Sequence, residues 1–351
     1  MEMENKIINL TKNGKFEVSK RKLPILKKNK IRIKIKAVGV CASDIPRAHE
    51  NGAYNYPLVM GHEMSGEICE SKIKNFRQGD RAVIFPLIPC KRCNFCKTKN
   101  YNHCENYSYY GSRQDGGYAE FIDVYPWNIL KVHKKINFLD SFALEPSAVA
   151  LNTIKILFTK KPKKNEKILV LGSGFIGLLI INLLKIKYKK LNLTVVDRND
   201  HKLNMVPNIF KRFNLKKNHS NITKLYNEFD YIIETTGNNE LISEIFRFAK
   251  NKSSLIFMGN INDDVSFKKK EINMILRKEL KLYGVWNSNY KNPKQNDWSE
   301  VIRYIKRGFR PSKYISHIIK LDKIPFFIKK IYLSRKKSQR FKFLKIVALN
   351  D

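Results

Sequence analysis

Apolar residues in the second half of the chain come in short blocks with polar ends. Residues 167–197 read KILVLGSGFIGLLIINLLKIKYKKLNLTVVD. The block KILVLG predicts a buried strand. FIGLLIINLLKI is apolar on every side and predicts a helix packed beneath a sheet, and LTVVD predicts a second strand. The blocks FDYIIETTG (229–237), SSLIFMGN (253–260) and ELKLYGVW (279–286) predict further strands ending in polar or glycine residues. Strands alternating with helical stretches predict an α/β domain with a doubly wound parallel sheet. Residues 168–184 contain no charge and are almost long enough for a membrane span. Lys167 and Lys185 bracket that run and GSG breaks it early, so it is read as a core segment.

The break carries chemistry. Gly172, Gly174 and Gly177 form G-x-G-x-x-G between the predicted strand and helix, and Asp197 ends the next strand. This is the βαβ arrangement of a dinucleotide site. Gly172 permits the tight turn, Gly174 lets backbone approach a pyrophosphate, and Gly177 lets helix and strand pack closely. The helix start at Phe175 and Ile176 offers N–H groups and a positive dipole end to the phosphates. Asp197 is placed to accept from the adenosine ribose hydroxyls. An acid there repels a 2′-phosphate, which favours NAD over NADP; Arg198 and Lys202 follow as flanking cofactor candidates. The strand ends at Thr235, Gly237 and Gly259 are expected to line the nicotinamide half.

Length adds a second domain, since 351 residues exceed what a single core usually serves. A hydrophobic content of 43% argues against disorder. The net charge of +37 raises a nucleic-acid partner as an alternative. The basic residues are mostly lysines spread over the whole length, and runs such as RKKSQRFK (335–342) read as solvated surface. No membrane is therefore expected as a partner, and a basic nucleic-acid-binding protein stays as the alternative reading of another class. The N-terminus MEMENKIINL shows no apolar leader, and cysteine is sparse outside one cluster. Both point to a reducing, cytoplasmic setting in which clustered thiols bind metal.

That cluster is CKRCNFCKTKNYNHC. Cys90, Cys93, Cys96 and Cys104 sit in C-x2-C-x2-C-x7-C. Four thiolates at close spacing can close a tetrahedral zinc site; an iron–sulfur cluster is the rival. A closed four-sulfur site has no open position and cannot activate a substrate. Cys69 fits no motif and is read as a small core residue.

GVCASD (39–44) and GHEMSGEI (61–68), with the cysteine spacing and the Gly-rich βαβ, resemble the medium-chain zinc-dependent alcohol dehydrogenases. The strings DIPRAHENGAYNYPLVMGHE, YYGSRQDGGYAEFI, LEPSAVAL and ILRKELKLYGVW are similar to the polyol branch. Its galactitol-phosphate dehydrogenases are nearest, with sorbitol and L-idonate dehydrogenases further away. The resemblance spans essentially the whole chain. It implies a GroES-like, mostly β catalytic domain at 1–147, with a structural-zinc lobe at 88–106. A Rossmann NAD-binding domain at 148–286 follows, and 287–351 returns to complete the first domain.

The resemblance also implies two zinc ions per chain and NAD as cofactors. Cys90, Cys93, Cys96 and Cys104 would hold structural zinc, and Cys41, His62 and Glu145 catalytic zinc. Glu63 is the neighbouring acid. Pro146 is expected to bias Glu145 toward extended backbone. Ser43 would take the substrate hydroxyl proton, and Asp44 would orient His62. Pro46 stands where many relatives end the proton relay with histidine; His49 is a distant substitute. The expected substrate is a small-molecule polyol or polyol phosphate. Another secondary alcohol (sorbitol, L-idonate, threonine or butanediol) remains an alternative. Arg47 and Arg113 are candidates to grip a phosphate, or Arg113 to pair structurally with Asp115 or Glu120. Tyr54, Tyr56 and Trp286 are candidates to shape the pocket. A homo-oligomer, dimer or tetramer, is expected.

Overall fold

The 167–197 segment folds as its pattern dictates in the computed structural model, which describes residues 4–50, 52–188, 190–261, 263–336 and 341–350. The strand Lys167–Leu171 leads into the helix Phe175–Lys187 and then the strand Asn192–Asp197. Leu178, Leu179, Ile180, Ile181, Leu183 and Leu184 are all buried, so no face of that helix is left for polar residues. Each such side chain contributes about 1.5–3 kcal/mol relative to exposure. The uncharged run 168–184 is thus divided between a core strand and a core helix. Among the described residues, no helix is long and apolar enough to cross a membrane.

Six parallel strands make the sheet of this unit, which comprises 147–288 and 303–309. From edge to edge they are Lys211–Asn214, Asn192–Asp197, Lys167–Leu171, Phe229–Glu234, Ala249–Phe257 and Lys281–Gly284. Strand order reverses beside Lys167–Leu171, so the Gly-rich turn opens at the switch point where such sheets bind ligands. The edge strand Lys211–Asn214 escapes the hydrophobic pattern because KRFN has one apolar residue, and an edge needs little burial. The strand expected across 279–286 is shorter, Lys281–Gly284, and Trp286 beyond it is 53% exposed.

The other unit comprises 1–146, 289–302 and 310–351. At its centre is a mixed, mainly antiparallel sheet of seven strands. The ten-residue strand Ile31–Val40 pairs with Glu63–Ser71, Phe121–Val124 and Ile346–Leu349. The last strand sets Ile346 opposite Val40 and Leu349 opposite Ala37, so the chain end is built into this sheet. Ile33, Val38, Met64, Ile84, Tyr118 and Ile346 fill its core. Residues 303–309, which lie inside the expected return segment 287–351, group instead with the nucleotide unit. Within that unit Tyr304 lies near Tyr188. Of the basic run 335–342, residues 337–340 lie outside the described residues.

Candidate functional site

Short turns gather the four clustered cysteines. Lys91 and Lys99 adopt positive φ, 61° and 60°, folding the chain back between sulfurs. Cys90 N–H donates to Cys104 Sγ at 3.2 Å, and Cys93 N–H to Cys90 Sγ at 3.4 Å. The Sγ pairs Cys90–Cys96 and Cys93–Cys104 are each 3.9 Å apart, and all four sulfurs lie within 4.8 Å of one another. A disulfide needs about 2.05 Å. Zn–S bonds of about 2.3 Å in a tetrahedron set sulfurs about 3.8 Å apart. The quartet fits one zinc ion, and it is too tight to surround a multi-iron cluster. Backbone N–H donation holds the Cys90 thiol down at about 6. Among the described residues, no further His, Cys, Asp or Glu joins this group.

The scattered residues meet through sheet register. Cys41 directly follows the strand Ile31–Val40, while Glu63 opens its antiparallel neighbour and pairs with Gly39. A Cβ on Gly39 would stand 2.0 Å from Glu63 Oε2, so only glycine leaves room for that carboxylate. Donor atoms of Cys41, His62 and Glu63 lie within 4.8 Å of one another. Glu145, the expected third ligand, is outside that trio but buried beside it, with Oε1 accepting from Tyr109 Oη at 3.4 Å. Its backbone is not extended as Pro146 suggested. Both residues sit in the first turn of the helix Leu144–Leu157, where proline's missing N–H has no partner to lose.

Burial, then the charges of Glu63 and Asp44, pushes the Cys41 thiol up to about 11. Burial also pushes Glu145 up to about 8; His62 opposes the rise, and Glu63 and Cys41 add to it. A half-buried thiol beside a buried imidazole and two buried carboxylates that disfavour one another's charged forms is a donor set suited to a divalent cation. Three protein ligands around zinc leave a fourth position for substrate.

One cation is already there. Lys345, 4% exposed, donates to Glu63 Oε1 at 2.6 Å and to Val40 carbonyl oxygen at 2.9 Å, and it also pairs with Glu63 Oε2. It precedes the strand that pairs with Val40. Sequence reasoning missed it, although a lone lysine inside FLKIVAL is a legible oddity. Tyr109 and Tyr118 were also missed as site residues. Tyr118 Oη donates to Asp44 at 2.7 Å.

Asp44 is fully buried and gathers several donors. It accepts from Cys41 N–H at 2.9 Å and from Arg47 at 3.2 Å. His62 Nδ1 stands 3.6 Å from its Oδ1, beside it but short of a hydrogen bond. Ser43 Oγ donates to Cys41 Sγ at 3.3 Å. His49 stacks on Tyr332, ring centroids 4.7 Å apart. Cys69 Sγ donates to Arg32 carbonyl oxygen, away from both thiol clusters. Arg113 packs between the rings of Tyr54 and Tyr107. Tyr56 Oη accepts from Ala53 N–H.

At the nucleotide turn, Gly172 has φ +100° and a Cβ there would strike Thr235 Oγ1 at 2.6 Å. Asp197 Oδ2 accepts from Ser173 N–H at 2.8 Å and Ser173 Oγ at 2.9 Å, and Oδ1 from Asn199 N–H at 2.9 Å. Asp197 therefore braces the Gly-rich loop across the strand ends. Gly174 caps the helix that begins at Phe175 and Ile176. Arg198 is exposed and Lys202 half-buried, in the short helix Asp200–Leu203. Thr235 Oγ1 donates to Leu171 carbonyl oxygen, and Gly237 N–H donates to buried Glu234. A Cβ on Gly259 would lie 2.4 Å from Gly237 N, so these strand ends pack closely.

Known proteins share this layout. A family model described as "Alcohol dehydrogenase GroES-like domain" matches residues 27–134, and one described as "Zinc-binding dehydrogenase" matches 176–307. Galactitol 1-phosphate 5-dehydrogenase of Escherichia coli K12 is 29% identical over 303 residues, 84% of this chain and 86% of the relative. L-galactonate-5-dehydrogenase of the same strain is 27% identical over 297 residues, 82% of this chain and 83% of the relative. The crystal structure of galactitol-1-phosphate dehydrogenase from Escherichia coli superposes with a TM-score of 0.83 at 25% identity. It covers 98% of this chain and 100% of that one.

Proposed function

Because the chain belongs to the zinc-dependent medium-chain alcohol dehydrogenase family, we propose that it oxidises a secondary hydroxyl of a polyol or polyol phosphate, of the galactitol 1-phosphate kind, to the ketone with NAD as hydride acceptor. The observation that carries this reading is the grouping of half-buried Cys41 with buried His62 and Glu63, and buried Glu145 beside it. We propose Cys41, His62 and Glu145 as the ligands of a catalytic zinc. Lys345 engages both oxygens of Glu63, which favours Glu145 as the free carboxylate. We propose Cys90, Cys93, Cys96 and Cys104 as the ligands of a structural zinc.

When bound, zinc supplies Lewis acidity to the substrate oxygen and NAD supplies the hydride acceptor. The chain's own groups do the rest. Ser43 Oγ, beside Cys41, accepts the hydroxyl proton as it releases its own to water. Asp44 Oδ1 faces His62 Nδ1 at 3.6 Å and would orient the ring once the two close to a hydrogen bond. Tyr109 Oη steadies Glu145. Gly172, Gly174 and Gly177 let backbone approach the pyrophosphate, and Asp197 takes the ribose hydroxyls, which favours NAD over NADP. Thr235, Gly237 and Gly259 border the nicotinamide.

The free thiols suit a reducing compartment such as the cytoplasm. We also propose a homo-oligomer. The strand Lys281–Gly284 is an edge of its sheet, and Leu276 and Leu282 near it are 71% and 42% exposed, a surface that invites pairing with a second copy. A screen of NAD reduction over free and phosphorylated polyols tests the reaction. Turnover of secondary hydroxyls in zinc-loaded enzyme is expected, and its absence across the panel overturns the reading.

A further inference from the structure

The arginines of the catalytic unit differ in what holds them. Arg32 is clasped by Asp123, Glu70 and the Pro24 carbonyl oxygen. Arg47 is held by Asp44, and Arg81 by the carbonyl oxygens of Lys134 and Ile136. Arg113 has no such acceptor among the described residues. Its guanidinium lies 4.2 Å from the Tyr54 ring centroid and 4.1 Å from that of Tyr107. Two aromatic rings thus lie against its guanidinium carbon, and no described acceptor takes its N–H donors.

The acids that might have paired with it are engaged elsewhere. Asp115 accepts from Val59 N–H at 2.9 Å and pairs with Arg21 at 3.4 Å. Glu120 accepts from Lys6 N–H at 3.0 Å. A guanidinium stacked on two rings has lost much of its rotamer freedom, while its edge still needs an acceptor. Such a cation is pre-organised for a planar or tetrahedral oxyanion, which it can take with two parallel N–H bonds.

Its position ties it to the reacting centre. Tyr107 and Tyr109 ring centroids are 6.3 Å apart, and Tyr109 and His62 are 5.9 Å apart. Tyr109 Oη donates to Glu145. A continuous run of rings therefore leads from the metal-ligand cluster to the Arg113 guanidinium within one unit. Arg47, by contrast, is tied to Asp44 through one Nη at 3.2 Å.

We propose that Arg113, clamped between Tyr54 and Tyr107, determines specificity by binding an oxyanion, phosphate or carboxylate, at the end of the polyol remote from the hydroxyl oxidised. This rests on the dehydrogenase reading above and deepens it. Tyr54 and Tyr107 are positioning residues for the guanidinium.

The test compares kcat/KM on galactitol 1-phosphate, L-galactonate and galactitol in zinc-loaded enzyme, its Arg113→Met variant and its Arg113→Lys variant. Loss of a charged two-point contact should lower the anionic-to-neutral efficiency ratio by about 10- to 100-fold in Arg113→Met. Arg113→Lys, which keeps the charge and loses the fork, should fall between. A fall confined to galactitol 1-phosphate assigns phosphate as the anion, and one confined to L-galactonate assigns carboxylate. An unchanged ratio for both overturns the proposal. Calorimetric titration of galactitol 1-phosphate, L-galactonate and inorganic phosphate separates this from failure of the dehydrogenase reading. If no alcohol is oxidised but an anion binds the wild type and not Arg113→Met, the anion site stands alone. If no anion's binding differs between wild type and Arg113→Met, Arg113 has no such role.

Discussion

The two thiol-bearing clusters of this chain solve the same problem in opposite ways. The lobe brings four sulfurs within 4.8 Å using fifteen consecutive residues and two left-handed lysines. Its donors are chemically alike and come from one continuous segment. The second cluster draws Cys41, His62, Glu63 and Glu145 from separate stretches and depends on register between two strands. Its donors differ in kind. His62, Glu63 and Glu145 are buried together, and Lys345 arrives from the far end of the chain to offset one carboxylate. The comparison teaches what each can do. A quartet of like donors is complete and can only staple. A mixed set on a rigid sheet, placed where burial disfavours its charged forms until a cation joins them, would leave a coordination position for chemistry.

Matched cysteine substitutions should break the comparison most sharply. Cys41→Ser should lower turnover by about 1,000-fold or more, since several kcal/mol of charge stabilisation is lost, while leaving one zinc and a folded chain. Cys93→Ser should instead lower the melting temperature by roughly 10 °C, because structural zinc contributes its binding energy to folding. Steady-state assays beside calorimetric melting separate the two. Equal effects of both substitutions on melting would erase the distinction.

Lys345→Met sharpens it further. Removing one partner of a buried pair leaves Glu63 without its counter-ion, at about 3 kcal/mol or more. Chemical denaturation should show that loss, and Lys345→Met combined with Glu63→Gln should recover part of it. Loss of similar size in a Glu63→Gln background would mean that the pair is not what Lys345 stabilises. The smallest effect concerns the coenzyme. Asp197→Ser should narrow the NAD-to-NADP efficiency ratio by about 10-fold, the scale of one or two charged hydrogen bonds. It should also loosen the Gly-rich turn, because Ser173 loses its acceptor. An NADP-preferring wild type would contradict the reading of this strand end.

What the sequence revealed follows the same divide. The local lobe was legible as spacing, and the nucleotide turn as apolar blocks around three glycines, because both are written in consecutive residues. Cys41 and His62 were legible only through resemblance, since their meeting depends on pairing Gly39 with Glu63. Lys345, Tyr109 and Tyr118 were missed because their roles exist only after distant strands assemble. The strand Lys211–Asn214 was missed because a solvent-facing edge needs almost no apolar signature. Pro146 misled about Glu145, for both lie in the first turn of the helix that begins at Leu144, where proline's missing N–H costs no hydrogen bond.

Graded removal of zinc with a chelator tests the central claim most directly, with bound metal, turnover and melting temperature followed on one sample. Two ions per chain are expected at the start. As the count falls to one, activity should vanish while the melting temperature changes little, and only loss of the second ion should unfold the lobe. Full activity with one ion remaining, or simultaneous loss of both ions with unfolding, would contradict the division of labour between the two clusters.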